Sequence, residues 1–177
     1  MSKTEVKQPA KKTPLWRTAL MFILELAVLW VVFHYVCFFA YVPTTSMVPT
    51  VPEKSVMLVT YLHGEKEVER GDVVVFWSEE YGEQMVKRVV GLPGEKIVLH
   101  QGELYINDER YEETYIINQD VRSATFEIPE GSYLFLGDNR NNSEDARWWE
   151  DPYIEAEELV GKVRFVLWPL NEISFVK

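Results

Sequence analysis

The most conspicuous pattern in the chain is a long apolar stretch near its N-terminus. Residues 19–42 form a run of 24 positions in which only Glu25 and His34 are strongly polar. As an α-helix rising 1.5 Å per residue, this run would be about 36 Å long, enough to cross a hydrocarbon core of about 30 Å. The apolar region of a removable signal peptide is shorter, about 7–15 residues, and is followed by small residues, whereas this run ends in bulky aromatic ones. The pattern predicts an uncleaved transmembrane anchor over residues 18–42.

Beyond the anchor, short segments rich in Val, Ile, Tyr and Phe alternate with turn residues. This spacing is typical of antiparallel strands and does not suit parallel β–α–β units. Strands are predicted at 55–60, 72–77, 84–90, 96–99, 103–106, 125–128, 133–136 and 159–168. Asn107 and Asp108 predict a two-residue hairpin, and only residues 151–159 favour a short helix. The expected fold is mostly β, with an N-terminal transmembrane helix followed by an antiparallel β-barrel or folded sheet.

Charge is distributed unevenly on the two sides of the anchor. Residues 1–17 carry five basic side chains and one acidic one, whereas the chain of 177 residues has a net charge of -10. Because basic flanks stay in the cytoplasm, we expect residues 1–17 to form a cytoplasmic arm and residues 43–177 an extracytoplasmic domain. The acidic domain lacks the clustered Lys and Arg that phosphate binding needs, so no nucleic-acid partner is expected. The single cysteine, Cys37, rules out an internal disulfide.

Three segments are harder to explain as architecture alone. Residues 43–50 place Ser46 directly after the anchor, residues 85–94 place Lys87 in an apolar strand, and residues 137–147 form a long polar loop. Each has an ordinary interpretation when taken singly. These interpretations are a turn serine, an edge-strand lysine that discourages aggregation, and Asn- and Asp-rich turn chemistry.

Taken together, the segments offer a nucleophile and a base. A serine hydroxyl attacks only when a base takes its proton, and burial can lower the pKa of a lysine from about 10.4 so that the neutral amine serves. Lys87 has apolar neighbours, while His34 lies in the anchor and His63 and His100 lie at predicted strand ends. A dyad of Ser46 and Lys87 is favoured, and a histidine-based triad stays open.

The segments also resemble, in the same order, the conserved motifs of the bacterial type I signal peptidases, which are membrane-anchored Ser–Lys endopeptidases. The resemblance is carried by PTTSMVPT from Pro43, GDVVVF from Gly71, VKRVVGLPGE from Val86 and GDNRNNSEDAR from Gly137. EELVGKVRFVLWPL, near the C-terminus, is similar to the family's closing strand. Four linked motifs are far more specific than any one of them.

The resemblance implies a role for each matching residue. It makes Ser46 the nucleophile and Lys87 the general base, with Thr44 and the Ser46 backbone N–H stabilising the oxyanion. The implied supporting residues are Ser143, which would orient the lysine, Asp138, Asp145 and Arg147. The implied walls of shallow substrate pockets are Val42, Met47, Val51 and Val86. Neither a metal nor a cofactor is implied.

Two positions depart from the family pattern. Thr45 stands where glycine is frequent, so a backbone with positive φ would be strained there. Ala146 stands where serine is common, although it is not the serine that would contact Lys87.

The implied activity is removal of N-terminal signal peptides from exported preproteins, after small residues at -3 and -1, through an acyl-enzyme intermediate. The implied partners are secreted preproteins, the lipid bilayer and, by proximity, the export translocon, and the implied location is the cytoplasmic membrane. Two alternatives stay open. One is a membrane-tethered β-domain that binds peptides without cutting them, and the other is a Ser–Lys protease that processes itself or one dedicated partner.

Overall fold

The computed structural model describes residues 14–64 and 68–176, so most of the predicted cytoplasmic arm lies outside the described residues. The chain divides into two compact units after Val36. The first unit contains helix α1, Leu15–Tyr35, whose side chains are all accessible. This helix of 21 residues is long and apolar enough to cross a membrane, since its length of about 32 Å matches the hydrocarbon core.

The helix ends earlier than the apolar pattern predicts. Residues 37–42, assigned to the anchor from the sequence, instead form strand β1, Cys37–Val42, which pairs with β2, Ser55–Tyr61, over six positions. Aromatic and β-branched side chains favour a strand, and β2 offers them a partner. Hydrophobicity alone does not separate the end of an apolar helix from an adjoining apolar strand.

The second unit is built on two antiparallel sheets. The strands that complete the larger sheet are β3 Val73–Ser78, β4 Glu83–Gly91, β9 Ser132–Leu136, β10 Tyr153–Glu155, β11 Leu159–Trp168 and β12 Ser174–Phe175. Their order is β1-β2-β11-β3-β4-β9-β10, with β12 paired to β11. Within the described residues β1 and β10 are the outer strands of this order, so the sheet is folded and open rather than a closed barrel.

The smaller sheet has the order β7-β6-β5-β8. Its strands are β5 Lys96–His100, β6 Glu103–Ile106, β7 Glu109–Tyr111 and β8 Ala124–Glu127. The turn between β6 and β7 holds Asn107 and Asp108 at φ 50 and 68, as a two-residue hairpin of this type requires. All eight predicted strands are present with ends within one residue, and the predicted fold class is confirmed.

The predicted helix at 151–159 is wrong. Tyr153–Glu155 forms β10, which pairs with β9, and only Ala156–Glu158 makes one turn of 3-10 helix. Pairing with the edge of the sheet overrides the local helix preference of this acidic segment.

Strand β3 separates two hydrophobic cores. Val74 and Phe76 face one core, where the rings of Phe76 and Phe135 lie 4.5 Å apart, and Val73 and Val75 face the other. On the neighbouring strand β4, the residue opposite Val74 is Lys87. The topology therefore carries a lysine into the apolar interior, on the face shared by Val74 and Phe76.

Candidate active site

Ser46 is held against the polar loop of residues 137–147. Its backbone carbonyl accepts a hydrogen bond from the N–H of Asn139 at 3.0 Å, and the Asn139 side-chain amide donates to the carbonyl of Thr45 at 3.1 Å. Ser46 is itself buried. These bonds join two motifs that are about ninety positions apart in the sequence, and Asn139 is a residue to which sequence analysis assigned no role.

Lys87 is 4% exposed and, within the described residues, forms no ion pair. Burial lowers the pKa of its amine to about 8, an effect that the nearby carboxylate of Asp145 opposes and the charge of Arg147 reinforces. The neutral amine is therefore accessible near physiological pH, as a lysine base requires.

Ser46 and Lys87 line the same cavity, which has a volume of about 360 Å³. Thr44 lines it as well, and its Oγ1 lies 3.4 Å from Oγ of Ser46. The other lining residues are Tyr41, Val42, Pro43, Glu83, Gln84, Met85, Val86, Asn142 and Glu144. The folded chain thus brings a hydroxyl, a desolvated amine and a second hydroxyl donor to one accessible space.

The two predicted acidic residues each bind a buried arginine. Asp145 accepts bonds of 2.7 and 2.8 Å from Arg147 and a bond of 2.9 Å from the backbone N–H of Gly137. Asp138 accepts bonds of 2.8 and 2.7 Å from Arg88. Two-point arginine–carboxylate pairs of this kind fix orientation as well as distance. Sequence analysis assigned no role to Arg88, which is adjacent to Lys87 on the same strand.

Gly137 permits a close approach in the loop. A Cβ atom built at this position would lie 2.1 Å from Oγ of Ser143 and 2.7 Å from the carbonyl oxygen of Ser46. Ser143 is buried, and its hydroxyl has no hydrogen-bond partner within the described residues. Its role in orienting Lys87 stays a prediction.

The four predicted pocket residues divide into two pairs. Val42 and Val86 line the cavity. Met47 and Val51 are absent from its lining and are completely buried in the core that contains Val42. With no exposed surface, these two side chains contribute to the core in this structure, and a role for them in substrate binding stays a prediction.

The two departures from the family pattern are accommodated. Thr45 is not among the residues with positive φ, so the strain considered for a non-glycine residue does not arise. Ala146 is 2% exposed and packs in the core that contains Phe76, where a methyl group is well suited.

A segment without a recognised motif, the covering loop of residues 112–123, lies over the polar loop. Its Ile117 forms a parallel bridge with Asn139, donating to the carbonyl of Asp138 at 2.9 Å. Glu113 pairs with Arg140, and Asp120 accepts a bond of 2.9 Å from Arg147. The ring of Tyr115 lies 4.0 Å from the guanidinium of Arg88. No local pattern in the sequence indicates the contacts of this loop, because its partners lie elsewhere in the chain.

The chain contains an apolar helix followed in sequence by a β-rich domain, and one cavity of that domain is lined by a serine and a buried lysine. The family model described as "Signal peptidase, peptidase S26" matches residues 15–168. The chain belongs to this family, and within it to the bacterial type I signal peptidases.

Two relatives agree in sequence with the family match. The signal peptidase IB of Staphylococcus aureus (strain MRSA252) is 33% identical, with 88% of this chain and 93% of the relative aligned. A probable signal peptidase I-2 of Synechocystis is 30% identical over 77% of this chain, and the chain spans 65% of that relative. A crystal structure of a signal peptidase I from Enterococcus faecalis is 28% identical, with a TM-score of 0.48 over 54% of this chain and 95% of the other.

Proposed function

We propose that the protein removes N-terminal signal peptides from exported preproteins, with Ser46 as nucleophile and Lys87 as general base. The observation that carries the proposal is the shared cavity, in which a serine faces the same space as a lysine whose pKa burial lowers to about 8. At pH 7 about one-tenth of such an amine is neutral, against a negligible fraction of an ordinary lysine.

The chemistry follows from these groups. The neutral amine of Lys87 takes the proton of Ser46 Oγ as that oxygen attacks the scissile carbonyl carbon. The oxyanion formed accepts hydrogen bonds from the Thr44 hydroxyl and the Ser46 backbone N–H. When the intermediate collapses, the Lys87 ammonium gives its proton to the leaving amine, and an acyl-enzyme on Ser46 remains. Water then attacks the ester carbon, with Lys87 again accepting the proton. The bond between that carbon and Ser46 Oγ breaks as Lys87 returns the proton to the serine, which releases the peptide's new carboxyl end and restores the enzyme.

Specificity and placement complete the proposal. Val42 and Val86 offer shallow apolar walls in the cavity, which suit small side chains at alternate positions of an extended peptide. We further propose that α1 anchors the protein in the cytoplasmic membrane, with residues 1–17 in the cytoplasm and the β-domain outside, near the translocon that delivers preproteins.

The direct test is cleavage of a labelled precursor by the full-length protein in detergent micelles, with the cut site read by mass spectrometry. Ser46→Ala and Lys87→Ala should each abolish cleavage while retaining the folded circular-dichroism spectrum. Ser132→Ala, at another buried serine, and Lys96→Ala, at an exposed lysine, should stay active.

Two outcomes would contradict the proposal. If the folded Ser46→Ala variant still cleaved the precursor, Ser46 would be excluded as the nucleophile. If the unmodified protein bound the precursor without cleaving it, the protein would be a peptide-binding domain. Processing of one dedicated partner would show as accumulation of a single precursor when the protein is depleted.

A further inference from the structure

The charged groups around Lys87 are not equivalent. Four side chains of the polar loop act on its amine, those of Asp138, Glu144, Asp145 and Arg147. Asp138 and Asp145 are each paired with a buried arginine. Glu144, by contrast, is exposed and forms no ion pair in the part of the chain that the structure describes. Its charge is therefore not compensated by a neighbouring cation.

Glu144 lines the cavity that Ser46 and Lys87 also line. The residues on either side of it, Ser143 and Asp145, are buried, so packing fixes the backbone before and after this position. The carboxylate and the amine of the proposed base thus belong to one accessible space, where the charge of one acts on the other.

The other elements packed against Lys87 bring few ionisable groups to it. Val74 of β3 lies opposite Lys87, and neither β9 nor residues 43–50 contain a charged residue. The cavity lining adds Tyr41, which carries a hydroxyl, and the carboxylate of Glu83. Glu83 is four positions before Lys87 on β4, about 13 Å away along an extended strand. Glu144 is therefore the unpaired carboxylate with the most direct influence on the amine.

A hydroxyl from the turn between β3 and β4 holds the Glu144 carboxylate. The Tyr81 phenol donates a hydrogen bond of 2.9 Å to Oε1 of Glu144. Burial, this hydrogen bond and the charge of Glu144 raise the pKa of Tyr81 to about 12. The phenol consequently stays a donor throughout the pH range in which Lys87 titrates.

The turn that carries Tyr81 has supports of its own. The backbone N–H of Tyr81 donates a bond of 3.4 Å to Oγ of Ser78, which is buried. The side chain of Glu80 accepts a bond of 3.1 Å from the backbone N–H of Glu150. This second bond ties the turn to the chain just beyond the polar loop, so the fold defines where the phenol lies.

We propose that Glu144, held in the cavity wall by Tyr81, stabilises the ammonium that Lys87 becomes on accepting the serine proton. Both residues act through Lys87 and are positioning residues of the reaction. An opposite charge nearby favours the protonated amine, so it makes Lys87 a stronger base and opposes part of the effect of burial. The inference rests on the proposed function of Ser46 and Lys87.

The kinetic test measures kcat/KM for a labelled precursor, with the full-length protein in micelles, across the pH range in which Lys87 titrates. Glu144→Gln keeps an acceptor for Tyr81 and removes the charge. The midpoint of its profile should fall by about 0.3–0.7 pH unit, the effect of one carboxylate that water screens. A weaker base is neutral at lower pH but removes a proton less readily, so the variant should be about 1.5- to twofold faster in acid and slower by the same factor in alkali.

Matched variants separate this charge from its surroundings. Tyr81→Phe releases the carboxylate and should lower the midpoint by no more than Glu144→Gln does, and adding it to Glu144→Gln should have no further effect. Glu80→Gln removes a charge from the same turn, outside the cavity lining. Tyr105→Phe removes a hydroxyl that bonds Glu103 in the smaller sheet. Both of these control variants should keep the midpoint of the unmodified protein.

A titration of the amine itself does not depend on turnover. In the full-length protein labelled with ¹³Cε-lysine, the Lys87 resonance is the one that is missing from Lys87→Met. Its midpoint should fall in Glu144→Gln by the same amount as the kinetic midpoint. The difference should largely disappear in about 1 M salt, where the screening length is about 3 Å.

The outcomes separate this inference from the function it rests on. An unchanged Lys87 midpoint in Glu144→Gln would overturn the inference and leave the peptidase assignment intact. An equal shift in Glu80→Gln would show a general field of negative charge, and a rate lowered equally at every pH would show a structural role, so either would also overturn it. A protein that cleaves no precursor, although its Lys87 midpoint responds to Glu144→Gln, would instead reject the proposed function.

Discussion

Replacing Lys87 with methionine tests how much stability the buried amine costs the protein. Methionine keeps the length of the side chain and removes the charge, in a position that is 4% exposed. It should abolish cleavage, because no base remains, and at the same time stabilise the fold. A residue retained for chemistry alone is expected to show this opposition of activity and stability.

The magnitude follows from the pKa. The ordinary value of 10.5 falls to about 8 in the folded protein, and each pKa unit corresponds to about 1.36 kcal/mol. Below pH 8 both folded and unfolded chains hold the proton, so its burial costs about 3 kcal/mol of folding free energy. Between pH 8 and 10.5 only the unfolded chain holds the proton, so the stability of the unmodified protein rises with pH across this window.

The assay is urea unfolding of the full-length protein in micelles, followed by tryptophan fluorescence at a series of pH values. Lys87→Met should be more stable than the unmodified protein by up to about 3 kcal/mol at pH 7, and the difference should shrink from pH 8 upward. Lys96→Met, at an exposed lysine, should change stability by less than about 0.5 kcal/mol without this pH trend. A Lys87→Met protein that is no more stable at pH 7, with a difference independent of pH, would refute the reasoning.

Further measurements address the site directly. If neutral Lys87 is the active form, kcat/KM should rise about tenfold per pH unit up to about pH 8 and then level off; a profile that is flat from pH 6 to 8 argues against a lysine base. Thr44→Val should lower kcat by about 10²–10³-fold with little effect on unfolding, and unchanged turnover would exclude its hydroxyl from the oxyanion site. Gly137→Ala should destabilise by about 1–3 kcal/mol and impair cleavage, because the new methyl group meets the backbone of Ser46; normal stability would show that the loop moves freely. Asp120→Asn should lower the free energy of unfolding by about 1–3 kcal/mol, because it weakens a hydrogen bond to the buried Arg147. An unchanged urea midpoint would mean that this bond of the covering loop does not contribute to stability.

Local patterns were sufficient to predict eight of the strands in the described residues. Alternating apolar residues and turn residues act over a few positions, which is why the predicted ends of all eight strands lie within one residue of the observed ones. The pairing of Ser46 with Lys87 was favoured on chemical grounds, and the structure places both in one cavity. Where two elements compete for an apolar sequence, as at Cys37–Val42, the outcome depended on a partner strand that hydropathy does not reveal.

Contacts between residues that are far apart in the sequence could be identified only in the folded chain. The sequence by itself determined a mostly β domain, an apolar helix and a set of candidate groups, because periodicity and turn chemistry act along the backbone. Only the tertiary structure decided that Met47 and Val51 are core residues, that the covering loop braces the polar loop, and that Tyr81 donates a hydrogen bond to Glu144. Burial and proximity arise from packing, and the pKa of Lys87 follows from both.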